Sequence, residues 1–576
     1  VILSASIGDE FLARDYSFCR TSNGKGQSFI RTYDKEIGRF TIKFEVWDMT
    51  LQHLPLVSVE EMPDELKKEK LPHLSAGRYC CLFDEETIIL DPLNPKSVVA
   101  AWVVQVEKII DLWVSKDLQS EFAAEFSSYW QSEISCFFIS SKIDNVLCGY
   151  SRIGVDKKKK TEFVVADSRE NADEWREKRI GSSLDSEIPS VVVDLRCGPY
   201  VPFGNSWPLK SFSDVIQWLS RIEPPAVDSL IAKIGNRTEK AMVSVVLRYE
   251  TELVGFVVTL HASCREALKR YLGKNNKHVK RKGNRKVGKT SRSQMLKLLS
   301  SKQSEESFWR MDVKLCTESY ILERNIINNQ PPLARKKIAL IGCGTIGGYT
   351  AQSLVQLGAG SLNGSLTLFD KDNIQPGNLG RHLLGINYLG ENKSAAMVHW
   401  LKSTGLANKI LHQHSFKYED VSANWDVIID ATGSHSFSLL LAKWIHGYRV
   451  NKRDKPLLIH GWISGFGHIT RALRDDGRLG CYACQFDYSH KPKRERHESF
   501  TKGNSPDYLA FKRSCGASHL PFSSNASMSS AAMITQLLQQ ENKTSPNFLQ
   551  RRITQSAKEV KDVKLSRQKG CPVCLN

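Results

Sequence analysis

Apolar and polar positions alternate with three different rhythms along the chain. Near the start, aromatic and β-branched residues interleave with polar ones over Phe29–Tyr33 and Phe40–Trp47, the period-two pattern of half-buried strands. A proline-punctuated passage, Leu54–Pro72, comes next, followed by Gly77-Arg-Tyr-Cys80-Cys81 and then an amphipathic helix over Val98–Leu112. In the middle, Val191–Leu195 and Val243–Leu260 read as strands and Phe212–Ile222 as an amphipathic helix, whereas Lys157–Lys160 and Glu170–Arg179 read as charged and exposed. This part predicts a small α/β domain over about residues 188–268. Toward the end, Ile338–Ile341, Leu366–Phe369 and Val427–Ile429 are short, unbroken apolar runs. Such runs suit strands covered on both faces, as in a parallel sheet, and Tyr349–Leu357 between the first two reads as a helix.

Length and charge refine this division. A single core rarely grows past ~250–300 residues, so 576 residues predict several domains. The boundaries expected are 1–150, 151–318 and 319–576. Between Arg265 and Lys302, fourteen Lys and Arg stand against one acid, Glu266, so most of the formal net charge of +18 lies there. That stretch reads as a solvated basic linker (265–302), or as a docking strip for an acidic partner. With little aromatic interleaving it is no stacking platform for bases, and nucleic acid is not an expected partner. No apolar run approaches the ~18 residues of a membrane span. The first fifteen residues lack the basic-then-apolar order of a secretion signal. Fourteen cysteines in such a chain are expected to be reduced and cytoplasmic rather than a disulfide framework.

The candidate chemistry concentrates after residue 336. The strand Ile338–Ile341 runs into Gly342-Cys-Gly344-Thr-Ile-Gly347, a turn whose glycines let the backbone approach a phosphate, and the second strand ends in Asp370, placed to accept from ribose hydroxyls. Alone this would suggest NAD. The residues that follow change the expectation: Asp370-Lys-Asp372, Asn378-Leu-Gly-Arg381-His382, Lys393-Ser394 opening a helix, Asp430 ending a strand, and two CxxC pairs. Together they resemble the ThiF/MoeB and ubiquitin-activating adenylation family, over about Ser319–Asn576, with His382 standing where Gln is usual and Ser394 where Ala is common. The resemblance implies a Rossmann-like α/β domain that binds ATP through Gly342, Gly344, Gly347, Asp370, Asp372, Asn378, Arg381 and Lys393, with Mg²⁺ on Asp430. It also implies an arginine on a preceding helix, Arg324, that reaches the phosphates across a homodimer interface.

Cys481-Tyr-Ala-Cys484 and Cys571-Pro-Val-Cys574 can close a tetrahedral Zn²⁺ site of structural type; a redox pair is the alternative. Between them, Cys515 follows Lys512 and Arg513, cationic neighbours that favour the thiolate. Ubiquitin-activating enzymes carry their acyl-accepting cysteine on such a crossover loop. At the other end of the chain, the order of strands, extended passage, cysteine and helix over about Asp9–Asp117 resembles the α+β prokaryotic ubiquitin-conjugating (RWD-like) fold. Its spacing after Gly77 selects Cys80 as the acyl carrier, and the following Leu82 selects Cys81.

A conjugating-like domain, a connector and an activating domain in one chain resemble the bacterial fusion proteins of CBASS antiviral operons. The implied route is adenylation of a protein's exposed C-terminal tail, that of a cGAS-like nucleotidyltransferase. A thioester on Cys515, transfer to Cys80 and aminolysis would follow. The rival readings are a ThiF/MoeB-like activator of a sulfur-carrier protein and a nucleic-acid scaffold.

Overall fold

The computed structural model describes the chain apart from residues 1, 22–25, 76, 84–89, 131, 143, 274–290, 327–331, 451–455, 490–493, 500–510, 513–517, 520–521, 541–544 and 575–576. Cys515 and the middle of the basic stretch therefore lie outside the described residues. Two units are present, Val1–Cys316 and Thr317–Asn576.

The first unit opens with a helix, α1 (Ile2–Leu12), and a four-stranded antiparallel sheet in chain order. Its strands are β1 (Ser17–Cys19), β2 (Gln27–Lys35), β3 (Gly38–Val46) and β4 (Leu56–Glu61). Phe29, Phe40, Ile42 and Phe44 point inward, as the alternation of polar and apolar residues requires. A long helix, α2 (Pro95–Ser115), shares their core through Val99, Trp102, Val103, Val106 and Ile110, a stripe at helical spacing. It is longer than its apolar pattern because Pro95 occupies the first turn, where its missing N–H costs nothing, and Asn94 caps it by accepting from the Ser97 amide. The indole of buried Trp113 donates to the Pro72 carbonyl at 3.0 Å, fastening the proline-rich passage to the helix.

The connector differs from the expected small α/β domain. Seven strands close into a barrel: β5 (Ser135–Phe138), β6 (Asp144–Ile153), β7 (Lys159–Ala166), β8 (Ile188–Asp194), β9 (Met242–Tyr249), β10 (Glu252–Leu260) and β11 (Glu305–Leu315). The barrel thus begins at Ser135, within the range 1–150, and closes by pairing β5 in parallel with β11, Asp312 opposite Ser135. Leu147, Val165, Val192, Val246, Val257 and Met311 form one buried cluster among its strands. The charged stretch Glu170–Arg179 folds as a helix, Arg169–Lys178, with Ala172 buried beneath it, and Arg179 reaches back to the buried Glu162 on β7 at 2.7 Å.

The second unit is built on a seven-stranded sheet. Five strands are parallel: β12 (Lys337–Ile341), β13 (Ser365–Phe369), β14 (Ile410–Gln413), β15 (Val427–Asp430) and β16 (Leu457–Ser464). Their spatial order is β14-β13-β12-β15-β16, and β17 (Ile469–Asp475) and β18 (Phe548–Arg552) extend the sheet antiparallel beyond β16. The strand order reverses at β12, so a crevice opens between the ends of β13 and β15, where open α/β sheets bind ligands. Helices α3 (Thr345–Gln356), α4 (Lys393–Ser403) and α5 (His435–Arg449) each begin near that edge. A fourth helix, α6 (Ser524–Gln539), packs on β16 so closely that a Cβ on Gly461 would come within 2.3 Å of Ile534.

Candidate active site

A cleft of about 490 Å³ lies at the carboxyl edge of the parallel strands, lined by Gly342, Gly344, Asp370, Asp372, Lys393, Thr432 and Ser434, with Phe369, Phe416 and Phe437 supplying apolar wall. The glycine turn is obligatory. Gly342 has φ +88°, and a Cβ there would sit 2.9 Å from the Thr432 amide nitrogen, while one on Gly347 would sit 1.8 Å from the Gly342 carbonyl. The Asp370 carboxylate fixes the turn by accepting from the amides of Cys343 at 2.6 Å and Asp372 at 2.8 Å.

The first residues of three helices border this cleft: Gly344 precedes α3, Lys393 opens α4 and Ser434 caps α5. Each helix start carries about half a positive charge. Lys393 adds a whole one, on a side chain 12 % exposed. It pairs with Asp372 at 3.4 Å, but that partner is 60 % exposed, so the pair is worth at most ~1 kcal/mol and does not hold the ammonium against an incoming anion.

Asp430 lies beneath the cleft wall, 1 % exposed. Its Oδ1 accepts from the Thr432 amide (3.0 Å) and hydroxyl (2.7 Å), and its Oδ2 from the Ser438 hydroxyl (2.5 Å) and His460 Nδ1 (2.8 Å). Burial alone would raise its pKa, yet the hydrogen bond and charge of His460, with Ser438 and Thr432, hold it below the usual carboxylate range. A carboxylate offers about four acceptor positions, and here all four are filled. A Mg²⁺ ion held directly by Asp430, the role drawn from resemblance, does not fit this arrangement.

The remaining expected residues stand apart from the cleft lining. Gly347 lies under the turn, where it admits the Gly342 carbonyl. Asn378 accepts from the Gln375 amide at 2.9 Å, shaping the loop that leads to Arg381. Arg381 stacks its guanidinium 4.5 Å from the Phe522 ring centre, and burial lowers its pKa. Arg324 ends the short helix Glu318–Glu323, exposed, with its guanidinium 5.6 Å from the Tyr320 ring. Sequence reasoning missed the cleft residues Phe416, Thr432, Ser434 and Phe437. The Ala431-Thr-Gly-Ser434 run after Asp430, a strand end entering a helix cap, was the signal for Thr432, Ser434 and Phe437; Phe416 carried none.

Cys481, Cys484, Cys571 and Cys574 converge, all buried, with their sulfurs within 4.8 Å of one another. The closest separations, 3.4–3.8 Å, match the ~3.8 Å that tetrahedral Zn–S bonds of about 2.3 Å require. The four sulfurs fit a closed metal site, with no position left for a substrate.

In the first unit, the cysteine pair sits on a strand-like segment beside β4. The Cys80 amide donates to the Val57 carbonyl at 2.8 Å and the Cys81 amide to the His73 carbonyl at 2.9 Å, so the two side chains face opposite ways. Cys80 is packed against the core, and burial, then the neighbouring Cys81, push its thiol up to about 12. Cys81 is exposed.

Residues 319–573 match the ThiF family and residues 9–139 match the prokaryotic E2 family B. The chain joins a ThiF domain to a prokaryotic E2 domain. The cleft and the four-cysteine cluster belong to the ThiF domain, and the Cys80–Cys81 pair to the E2 domain. An "ATP-dependent ubiquitin transferase-like protein Cap2" of Vibrio cholerae serotype O1 is 27 % identical over 95 % of this chain and 93 % of its own length. Its namesake from Escherichia coli strain TW11681 is 26 % identical over 90 % and 89 %. Among solved structures, E. coli MccB with ATP is 20 % identical over 42 % of this chain and 68 % of its own, with a TM-score of 0.31. With its ThiF and E2 domains the chain is an activating and conjugating enzyme.

Proposed function

We propose that the chain uses ATP to activate the C-terminal carboxylate of a protein and conjugates that protein to an amine. The observation that carries this reading is the convergence of three helix starts, the glycine turn and Lys393 on one cleft, in a chain that also holds an E2 domain. Adenylation needs little proton transfer. A carboxylate oxygen attacks the α-phosphorus and pyrophosphate leaves, so the work is to hold several anionic groups in line. Lys393 and the helix starts neutralise the triphosphate, Asp370 and Asp372 face the ribose, and the phenylalanines exclude water on the base side. Mg²⁺ would accompany the triphosphate and screen its charge. Arg324 from a second copy in a homodimer is a further cation of this Rossmann-like site, whereas Arg381 rests on Phe522 outside the cleft lining.

Cys515 thiolate then attacks the acyl carbon, AMP leaves, and a thioester forms. Transthiolation passes the acyl group to the E2 domain, and an amine displaces the second thiolate. Spacing after Gly77 selects Cys80 for that step; exposure selects Cys81, whose thiol an incoming thioester reaches without unpacking the core. A structural Zn²⁺ on the four cysteines stabilises the ThiF domain. The similarity to Cap2 proteins favours CBASS defence, with a cGAS-like nucleotidyltransferase as the activated protein.

Trapping the carriers tests the order. With ATP, Mg²⁺ and that nucleotidyltransferase, replacing both Cys80 and Cys81 by Ala is expected to leave a reductant-sensitive adduct on Cys515. Cys515→Ala is expected to leave none anywhere. An acyl group on the E2 cysteines of the Cys515→Ala variant would refute the relay.

A further inference from the structure

Arg381 is held from two sides, and together they form a continuous path. Its neighbour His382 is 6 % exposed; its Nδ1 accepts from the Leu384 amide at 3.0 Å, so Nε2 carries the proton and donates to the Cys343 carbonyl at 2.8 Å. Burial lowers the pKa of this imidazole and keeps it neutral in that tautomer. The loop bearing Arg381 is therefore pinned to the middle of the glycine turn. On the other side, the Arg381 guanidinium lies 4.5 Å from the Phe522 ring centre, within cation–π range, and is partly desolvated.

Phe522 adjoins Ser523, the N-cap of α6, whose Ala526, Met533, Ile534 and Leu537 are buried in the ThiF domain. The ring thus stands at the junction between a rigid helix and the segment that carries Cys515, seven positions earlier. Lys512 and Ser518, flanking residues 513–517, pair as an antiparallel ladder, so the described ends of that segment are joined to each other.

On the reading proposed above, we infer that Phe522 is a positioning residue. Through Arg381 and His382 it ties the root of the Cys515 segment to the glycine turn of the nucleotide cleft, so thioester formation depends on it and adenylate formation does not. A ring that served only to fill volume would be replaced by leucine without loss. A ring that acts through its face would not, and tyrosine would restore it.

The test compares full-length parent, Phe522→Leu and Phe522→Tyr proteins, each with ATP, Mg²⁺ and the nucleotidyltransferase substrate. Two rates are read, ATP–pyrophosphate exchange for the first step and reductant-sensitive adduct on Cys515 for the second. The leucine variant is expected to keep exchange within about twofold and to form the adduct about tenfold more slowly, the size a desolvated cation–π contact can carry. The tyrosine variant is expected to match the parent. Unchanged adduct formation in the leucine variant overturns the inference, as does a parallel fall in both rates that tyrosine does not restore. No exchange in the parent overturns instead the adenylation reading beneath it.

Discussion

Asp430 and the Cys80–Cys81 pair show how far one residue's surroundings decide its chemistry. Asp430 ends a parallel strand, as a metal-binding carboxylate would, but four donors fill its acceptor positions and His460 pairs with it in a site closed to water. Its consequence is first of all for stability. The folded-state pKa is held below the ordinary carboxylate value, so its contribution is full above that value and is lost as pH falls through the folded one. Asp430→Ala leaves the buried donors of His460 and Ser438, and that of Thr432, without their acceptor and is expected to cost about 1–3 kcal/mol in urea unfolding at neutral pH. The difference from the parent should shrink below about pH 4. For the cysteines, a thiol pushed up to about 12 is scarcely ionised near neutrality, whereas its exposed neighbour is accessible. Timed alkylation followed by peptide mapping is expected to modify Cys81 before Cys80, and Cys81→Ser is expected to abolish transfer to the E2 domain while Cys80→Ser retains it.

At the scale of elements, what the sequence discloses follows burial. The strands β12, β13 and β15 are covered on both faces, so their apolar runs stand out; the glycine turn and Asp370 follow two of them, and Lys393 is legible as a helix start. The amphipathic stripe of α2 is as plain. The barrel is not, because its closure pairs Ser135 with Asp312, and no local pattern carries that partnership. Nor could spacing foretell that Arg381 would rest on Phe522 or that Asp430 would be saturated by Ser438 and His460, contacts made between elements far apart in the chain or around a helix start. The four cysteines were legible as two pairs, and the fold closes the ninety-residue gap between them. Metal analysis of the parent is expected to find one zinc per chain; Cys484→Ser is expected to lose it and to lower the thermal midpoint, because structural zinc sites contribute folding energy outright. Lys393→Ala is expected to do neither.

For the whole molecule, an anion-binding cleft and an exposed thiol on an E2 domain are united in one chain. No described helix is long and apolar enough to cross a membrane. In the proposed relay, fusion would keep the acyl donor and acceptor at a high effective concentration, about millimolar for short flexible linkers, and transfer within one chain is expected to outrun exchange between chains. All of this depends on the cleft making an acyl adenylate. ATP–pyrophosphate exchange with the nucleotidyltransferase as carboxyl donor measures that step directly. Exchange is expected to require the donor's C-terminal tail, to persist in Cys515→Ala, and to fall at least about a hundredfold in Lys393→Ala, the loss typical of one transition-state contact to developing charge. Exchange that is absent from the parent, or indifferent to Lys393, would contradict the account.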